Sequence, residues 1–337
     1  MKVFLIGGTG LLGSITANEL IRRGHEVSSI ALPPIPEGMV LQPKLKLEFK
    51  NYLTLSDDEI AGYFVGCEGF VFASGIDERI GGPSPIYDFY NKYNLTPLER
   101  MLRIAKESGV KHSVICGSYF SHFNRIWPKM ELARWHPYIR SRVEQEKMAL
   151  SFADKKFSVA IMELPYIFGV QQGREPVWTI VVKAVRGMKG VTLYPKGGTT
   201  MVTRKQVGQA MAGALERTQG GQCWPIGWNN MPWTQFLDIV HRNMGMQGRK
   251  IITIPNWLLS LGIKSMEKKI MSEGEGGMYM PKFAEIQSAE TYIDKSLGCE
   301  PLGVQDDDIE KAISDSIRLS VDVLDGKVKN VIGMKGE

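Results

Sequence analysis

The start of the chain constrains its fold more than any other stretch. An apolar run, Val3 to Ile6, passes directly into Gly7-Gly8-Thr9-Gly10-Leu11-Leu12-Gly13 and then into a helical pattern reaching about Arg23. Glycines at a spacing of three between a strand and a helix answer three demands. They allow a tight turn, a main chain close enough to touch a diphosphate, and a helix packed tightly on the strand. The amino end of that helix offers unpaired N–H groups and a partial positive charge to an anion. The arrangement predicts a dinucleotide site. A strand–helix turn with no ligand is the bland alternative, and the position of the loop in the first βαβ unit argues against it.

The next 150 residues repeat the pattern. Gly24 ends the first helix and Val27 to Ile30 read as the second strand; Leu45 to Phe49 alternates as a third. Ser56-Asp57-Asp58-Glu59 is a capping box that opens the next helix. Phe70 to Ala73 and Ser113 to Cys116 are further strands, with a long helix between them ending near Ser108-Gly109. A helix from about Tyr138 to Phe152 leads into the strand Val159 to Leu164. Strands alternating with helices predict an α/β fold, a doubly wound parallel sheet of the Rossmann type. After Pro165 glycine, proline and tryptophan become frequent, with helical patterns at Arg204–Arg217, Thr234–Met244, Pro255–Met271 and Asp307–Leu324. Residues 1–165 therefore read as the dinucleotide-binding domain, with a strand near 223–227 returning to it. Residues 166–325 read as a smaller, mixed substrate-binding domain, with Ser272–Gly277 a mobile surface loop and 326–337 a frayed tail.

Composition removes several function classes. With 337 residues, 43% apolar and 23% charged, the chain is an ordinary globular one. Its net charge of +5 is scattered, which gives a nucleic-acid partner little support. Cys67, Cys116, Cys223 and Cys299 form no C-x-x-C pair or His/Cys cluster, so the reading is free thiols, no metal and a reducing compartment. A first strand at Lys2 leaves no room for a leader, and the late apolar stretch Trp257 to Ile263 is too short to span a bilayer. The expectation is a cytoplasmic protein with no membrane partner.

The spacing G-x-x-G-x-x-G resembles the short-chain dehydrogenase/reductase superfamily, and the chain as a whole is similar to its extended branch, the NAD-dependent epimerase/dehydratase family. Gly24-His25-Glu26-Val27 resembles that family's entry to the second strand, and Ala73-Ser74-Gly75 sits where its fourth strand meets the nicotinamide ribose. Asn94 matches the Asn of its central helix, Val110 through Ser118 its fifth strand, and Leu164-Pro165-Tyr166-Ile167-Phe168-Gly169 its post-catalytic loop. Asp294 through Pro301 is similar to a C-terminal motif of sugar-nucleotide epimerases.

The resemblance implies a tyrosine that exchanges a proton with a substrate hydroxyl while hydride moves to or from a nicotinamide. A phenol has a pKa near 10, so a cation must favour its phenolate; the family places a Lys four residues on. Tyr138 holds the tyrosine position, but Arg142 stands where the Lys belongs. An arginine brings charge and ribose contacts through a rigid fork, yet it relays no proton. Two readings stay open: a modified Tyr138–Arg142 pair, or a retained cofactor site with altered chemistry. Ser118 is the expected hydroxyl on the reacting oxygen, with Tyr119 the alternative and a mere loop cap the bland reading. His112, His122 and His136 are not assigned a role.

By the same resemblance the cofactor contacts are Gly7, Gly10, Leu11, Leu12, Gly13, Ala73, Ser74, Gly75, Tyr138, Arg142, Pro165 and Ile167. The cofactor is NAD or NADP. Ser29-Ile30-Ala31-Leu32-Pro33-Pro34 carries no acid for a ribose 2′-hydroxyl, which tips the balance slightly to NADP, although no Arg follows to clamp a 2′-phosphate. Asn51-Tyr52 replaces the family's adenine-contacting Asp; Tyr52 stacks on adenine or simply packs. The partner implied is a small molecule, phosphate-bearing and nucleotide-sugar-like, with Arg174, Lys196 and Arg204 as candidate contacts. Trp178, Trp224, Trp228, Trp233 and Trp257 line a pocket or form core. A homodimer through the central helices is the implied assembly. Against this oxidoreductase or epimerase stand two alternatives, a simple ketone or aldehyde reductase, and a cofactor-binding regulatory or RNA-associated protein without turnover.

Overall fold

The computed structural model describes residues 1–256, 258 and 274–333. The strands are β1 (Lys2–Ile6), β2 (Glu26–Ala31), β3 (Lys46–Phe49), β4 (Gly69–Phe72), β5 (His112–Cys116), β6 (Ser158–Glu163), β7 (Tyr166–Phe168), β8 (Thr192–Pro195), β9 (Gly198–Thr203), β10 (Gly221–Pro225), β11 (Asn229–Pro232), β12 (Ile251–Ile254) and β13 (Glu290–Thr291). The first ten helices are α1 (Leu11–Arg22), α2 (Asp57–Phe64), α3 (Ile86–Tyr90), α4 (Thr96–Glu107), α5 (Tyr119–Ile126), α6 (Leu132–Trp135), α7 (Pro137–Leu150), α8 (Thr179–Gly187), α9 (Arg204–Arg217) and α10 (Trp233–Asn243). Two more cover Met280–Gln287 and Ile309–Leu324.

Seven strands form one sheet in the order β10-β6-β5-β4-β1-β2-β3, parallel throughout. Because side chains alternate along a strand, β1 feeds two cores at once. Val3 and Leu5 join Val71, Val114 and the α1 and α9 residues Ala17, Leu20, Val207 and Met211. Phe4 and Ile6 join Phe70, Phe72 and the α2 and α4 residues Phe64, Leu98 and Leu102. Each fully buried Phe or Leu contributes about 1.5–3 kcal/mol. This is a Rossmann-like α/β fold. Both α9 and β10 lie beyond residue 165 yet belong to its layers, and α1 meets α9 where Gly208 leaves room for the Ile15 carbonyl.

The remaining strands form a separate sheet, β11-β9-β13 with β7 also paired to β9, plus a two-stranded β8–β12 ribbon. Its core is aromatic: Phe168 stacks on Trp178 at 4.0 Å, and Phe236 and Trp233 pack around them. Trp224 is buried in the main sheet's core, and Trp228 Nε1 donates to Asp306, so neither forms part of that aromatic group. No helix among the described residues is long and apolar enough to cross a membrane.

Three local expectations meet a different structure. The long helix before β5 is interrupted by a π-helical turn, Asn91–Leu95, between α3 and α4. Pro97 in the first turn of α4 supplies no N–H, and Asn94 in the turn is committed to the main chain of Ile76. Within the stretch expected to fray, Ile332 is held: its N–H donates to the Gly173 carbonyl and its carbonyl accepts from the Glu175 N–H. Gly274–Gly277 is pinned rather than loose: Glu275 exchanges main-chain hydrogen bonds with Gly82, and its carboxylate accepts from the Ile86 N–H at 2.9 Å. The helical pattern expected for Pro255–Met271, including Trp257, lies largely outside the described residues.

Candidate active site

The glycine loop, Ser74-Gly75, Ser118 and Pro165 leave the carboxyl ends of β1, β4, β5 and β6, neighbouring strands of the parallel sheet. This is the edge at which open α/β sheets bind ligands. Gly7 has φ +97°, and a Cβ there would lie 2.6 Å from the Ala73 carbonyl oxygen. A Cβ on Gly13 would lie 2.1 Å from the Gly7 oxygen, so α1 packs on the turn only if residue 13 has no side chain. The Gly10 N–H closes the loop on Gly7 O at 2.9 Å. Gly10 then caps α1 without a side-chain hydrogen bond, and no acid stands in the first turn. Leu11 and Leu12, partly exposed, begin that turn. The result is an uncapped helix end suited to a phosphate.

Ser29, which no sequence motif singles out, holds this loop from behind. Its hydroxyl donates to Leu5 O at 2.8 Å and accepts from the Gly8 N–H at 3.1 Å. Tyr52 is buried edge-on against Phe72, with its hydroxyl 3.1 Å from Ser74 Oγ. It packs against the fold and braces the β4 edge.

Across the crevice, the chain leaving β4 is pinned by one buried amide. Asn94 Oδ1 accepts from the Ile76 N–H at 2.8 Å, and its Nδ2 donates to Ile76 O at 2.9 Å. Gly75 has φ +134°, and a Cβ there would sit 2.7 Å from Asn94 Oδ1. Arg142 adds a bond from Nη2 to Ile76 O at 3.1 Å and one from Nη1 to Gln145 Oε1 at 2.8 Å. Gln145 Nε2 in turn donates to Asn94 O at 2.9 Å. Arg142 Nε is buried with no hydrogen-bond partner among the described residues.

Tyr138 and Arg142 lie one turn apart on α7, which begins with Pro137 at its first position. Both are buried, and the guanidinium stands 5.2 Å from the Tyr138 ring centroid. Burial pushes the Tyr138 phenol above its usual range; Arg142 pulls it back down, and Glu78 and Asp77 push it up again. Here the cation opposes desolvation without overcoming it. Tyr90 packs edge-on against Tyr138 at 5.5 Å, and the Tyr138 N–H donates to Gly277 O at 3.0 Å, which fixes the 274–279 segment against the tyrosine.

Ser118 caps α5, its hydroxyl accepting from the Phe120 N–H at 3.4 Å. No hydrogen bond joins it to Tyr138 among the described residues. The Tyr119 hydroxyl turns instead to Thr199 Oγ1 at 3.4 Å. Pro165 is buried, and the Ile167 carbonyl accepts from Trp178 Nε1 at 3.1 Å. His136 is fully buried and burial pushes it down to about 4; its Nδ1 accepts from the Tyr279 N–H, a structural use.

The carboxyl of Glu78 is a group that sequence reasoning does not find. Burial and the neighbouring Asp77 push it up, and its charge bears on Tyr138, Tyr90, Tyr119 and Tyr166 together. The charged triplet Asp77-Glu78-Arg79, just past the β4 edge, is the one signal that points to it.

Two of the three basic candidates lie against the glycine loop. Arg174 Nη2 donates to Thr9 O at 3.4 Å, beside Gln171 Nε2 on the same oxygen at 2.9 Å. Arg204 reaches Ser14 Oγ at 3.3 Å and Val170 O at 2.6 Å. Neither makes an ion pair with a carboxylate among the described residues, and burial lowers the pKa of both. Lys196 is exposed. Uncapped helix end, close-approach glycines and two unneutralised guanidiniums together fit a phosphate-bearing ligand.

The family model for the NAD dependent epimerase/dehydratase family matches residues 3–202, more than half of the chain. Among solved structures, "gox2253" superposes with TM-score 0.73 at 18% identity, covering 97% of this chain and 99% of that one. UDP-glucose 4-epimerase from Bifidobacterium longum, in complex with NAD+ and UDP, gives 0.65 at 13% identity over 98% and 100%. MoeE5 in complex with UDP-glucuronic acid and NAD gives 0.63 at 15% identity over 96% and 100%. At these identities the likeness is one of fold. No match was found among curated protein sequences. The family match, which covers the glycine loop, Tyr138 and every strand of the main sheet except β10, makes the chain a member of the NAD-dependent epimerase/dehydratase family.

Proposed function

We propose that the protein is an NAD(P)-dependent oxidoreductase or epimerase acting on a hydroxyl or carbonyl of a nucleotide-sugar-like substrate. One observation carries this reading: Tyr138 and Arg142 are buried together on one face of α7, with Arg142 bound to the chain that leaves β4. A bound nicotinamide would supply the hydride acceptor or donor. Gly7, Gly10, Gly13 and the first turn of α1 would hold its diphosphate, with Arg174 and Arg204 neutralising charge. The end of β2 carries no acid, which suits NADP, whereas the MoeE5 and Bifidobacterium structures are complexed with NAD.

Tyr138 holds the proton that the substrate oxygen gives up or regains. Arg142 keeps a fixed positive charge near the phenol and so favours its ionised form. Arg142 cannot take part in proton relay, so within this pair the proton exchange falls to Tyr138 alone. Ser118 is the hydroxyl best placed by chain position, at the end of β5, to meet a reacting oxygen. The UDP-glucuronic acid named for MoeE5 and the UDP named for the Bifidobacterium UDP-glucose 4-epimerase support the substrate class.

A second reading has one observation behind it. The Arg142 fork is already spent on Gln145 and Ile76, as a structural brace would be, which suits a protein that binds cofactor without turnover. The test is to titrate purified protein with NADH and NADPH, then screen UDP-, GDP- and dTDP-sugars and small ketones for nicotinamide absorbance change. Tyr138→Phe should keep cofactor affinity and lose turnover. Cofactor binding with no turnover on any of these substrates favours the second reading, and failure to bind either cofactor removes both.

A further inference from the structure

A second cluster of reactive side chains lies at the β6–β10 edge of the sheet, one turn of α7 beyond Arg142. Glu163 closes β6 and is fully buried; Glu146 projects from α7 and is 6% exposed. Cys223 comes from β10, which pairs with β6 in parallel register. Oxygens of both carboxylates and the Cys223 sulfur all lie within 4.8 Å of one another. Cys223 Sγ is 3.9 Å from Glu146 Oε2, and His122 Nδ1, from α5, is 3.8 Å from Glu163 Oε2.

These groups are poorly satisfied as they stand. His122 is 8% exposed, yet its Nδ1 has no hydrogen-bond partner among the described residues, and neither has Glu146 Oε1. One cation is present: Arg125 Nη2 donates to both Glu163 oxygens at 2.8 and 3.0 Å, and Nη1 stands 3.8 Å from Glu146. A single guanidinium balances a single carboxylate. Two carboxylates and a thiol meet here with one guanidinium beside them, so a divalent ion that displaces the protons of Glu146 and Cys223 would leave the group balanced in charge.

We propose that Glu146, Glu163 and Cys223 form a three-ligand binding site for one divalent cation, with zinc the best match and His122 beside Glu163 at its rim. A mixed set of thiolate and carboxylate donors suits a borderline-soft ion, and three protein ligands leave its fourth tetrahedral position to water. Charge closes as well: two carboxylates and a thiolate are balanced by a divalent ion together with Arg125. Arg125 is about half exposed at the end of α5, and an ion bound at Glu163 would take the place of one of its two contacts there. Cys223 is partly exposed, so an ion has an approach from the sheet edge. The ion would tie α5, α7, β6 and β10 together, a structural role separate from hydride transfer at Tyr138. The ligands are far apart in sequence, and only the pairing of β10 with β6 brings them together.

The full-length protein, stripped with EDTA and given a small excess of Zn2+, should retain about one zinc per chain through gel filtration, by elemental analysis. Loading with Co2+ should give a thiolate-to-cobalt charge-transfer band in the near ultraviolet. Cys223→Ser should abolish that band, and Glu146→Gln should weaken Zn2+ binding by at least about tenfold. A circular dichroism melt of each variant checks that the fold survives, and the cobalt spectrum of the unaltered protein needs no variant. Absence of retained zinc overturns the proposal. So does retained metal with no thiolate band.

Discussion

The two walls of the crevice are built from different materials. On the β1–α1 side the candidate surface is main chain: Gly7 and Gly13 leave no room for a side chain, and α1 starts at Gly10 with no side-chain cap. On the α7 side it is side chain: Tyr138, Arg142, Gln145 and Asn94 form a chain of contacts from separate segments. A main-chain site tolerates change everywhere except at the glycines. A side-chain site spreads its sensitivity over every member of the network, and an Arg in the Lys position needs partners for its fork, here Gln145 and Ile76.

Four experiments break or sharpen that contrast. On the α7 wall, Tyr138→Phe should lower turnover by about 10²–10⁴-fold, with cofactor affinity changed little, in steady-state and binding assays run side by side. Equal loss of both would mean that Tyr138 is architecture rather than chemistry. On the glycine wall, Gly13→Ala should weaken cofactor binding about a hundredfold and destabilise the fold by about 1–3 kcal/mol, because the new methyl meets the Gly7 carbonyl. Fluorescence titration and a urea melt read the two effects separately. Unaltered cofactor affinity would show that the phosphates do not sit on this turn.

Arg174→Gln should weaken cofactor binding about tenfold, a charged hydrogen bond's worth. Comparing NAD+ with NADP+ sharpens the result: a loss confined to NADP+ places Arg174 at the 2′-phosphate, and an equal loss places it at the diphosphate. No loss with either would make it a brace on Thr9.

The smallest effect concerns pH. Burial and mutual repulsion raise Glu146 to about 8, and burial raises Glu163 to about 6, despite Arg125 pulling both down. A carboxyl with a folded pKa above its unfolded one favours the protonated form in the fold. Its contribution is intact below the unfolded value and is lost as pH rises through the folded one. EDTA-treated protein should therefore lose a few degrees of melting temperature between about pH 5 and pH 8.5, and Glu146→Gln should flatten that slope. Zinc should reverse it, since it binds the deprotonated ligands. A slope unchanged by Glu146→Gln would assign it to other groups.

Much of the first wall is legible in the sequence. Strand, glycines and helix are contiguous, and the constraint that selects glycine is local geometry. The capping box at Ser56–Glu59 is legible for the same reason and forms as expected. Less of the second wall is. Tyr138 and Arg142 are a local pair, but Gln145's bond to Asn94 O and Arg142's bond to Ile76 O join residues 51 and 66 positions apart. The π-helical turn at Asn91–Leu95 leaves no mark in the apolar periodicity, because it is set by where Asn94 must point.

What the sequence determined by itself is the sheet, from period-two and period-3.6 patterning, and the strand–helix turn, where Gly7 and Gly13 leave no room for a side chain. Tertiary structure alone decided the charges. It brought Arg174 and Arg204 back onto the glycine loop from the far half of the chain, where their position in sequence points to the substrate instead. It gathered Glu146, Glu163, Cys223 and His122 at one edge of the sheet, although their spacing suggests no cluster. The physical reason is range. Backbone conformation answers to neighbours a few residues away, whereas charge and desolvation answer to whatever the fold places within a few ångströms.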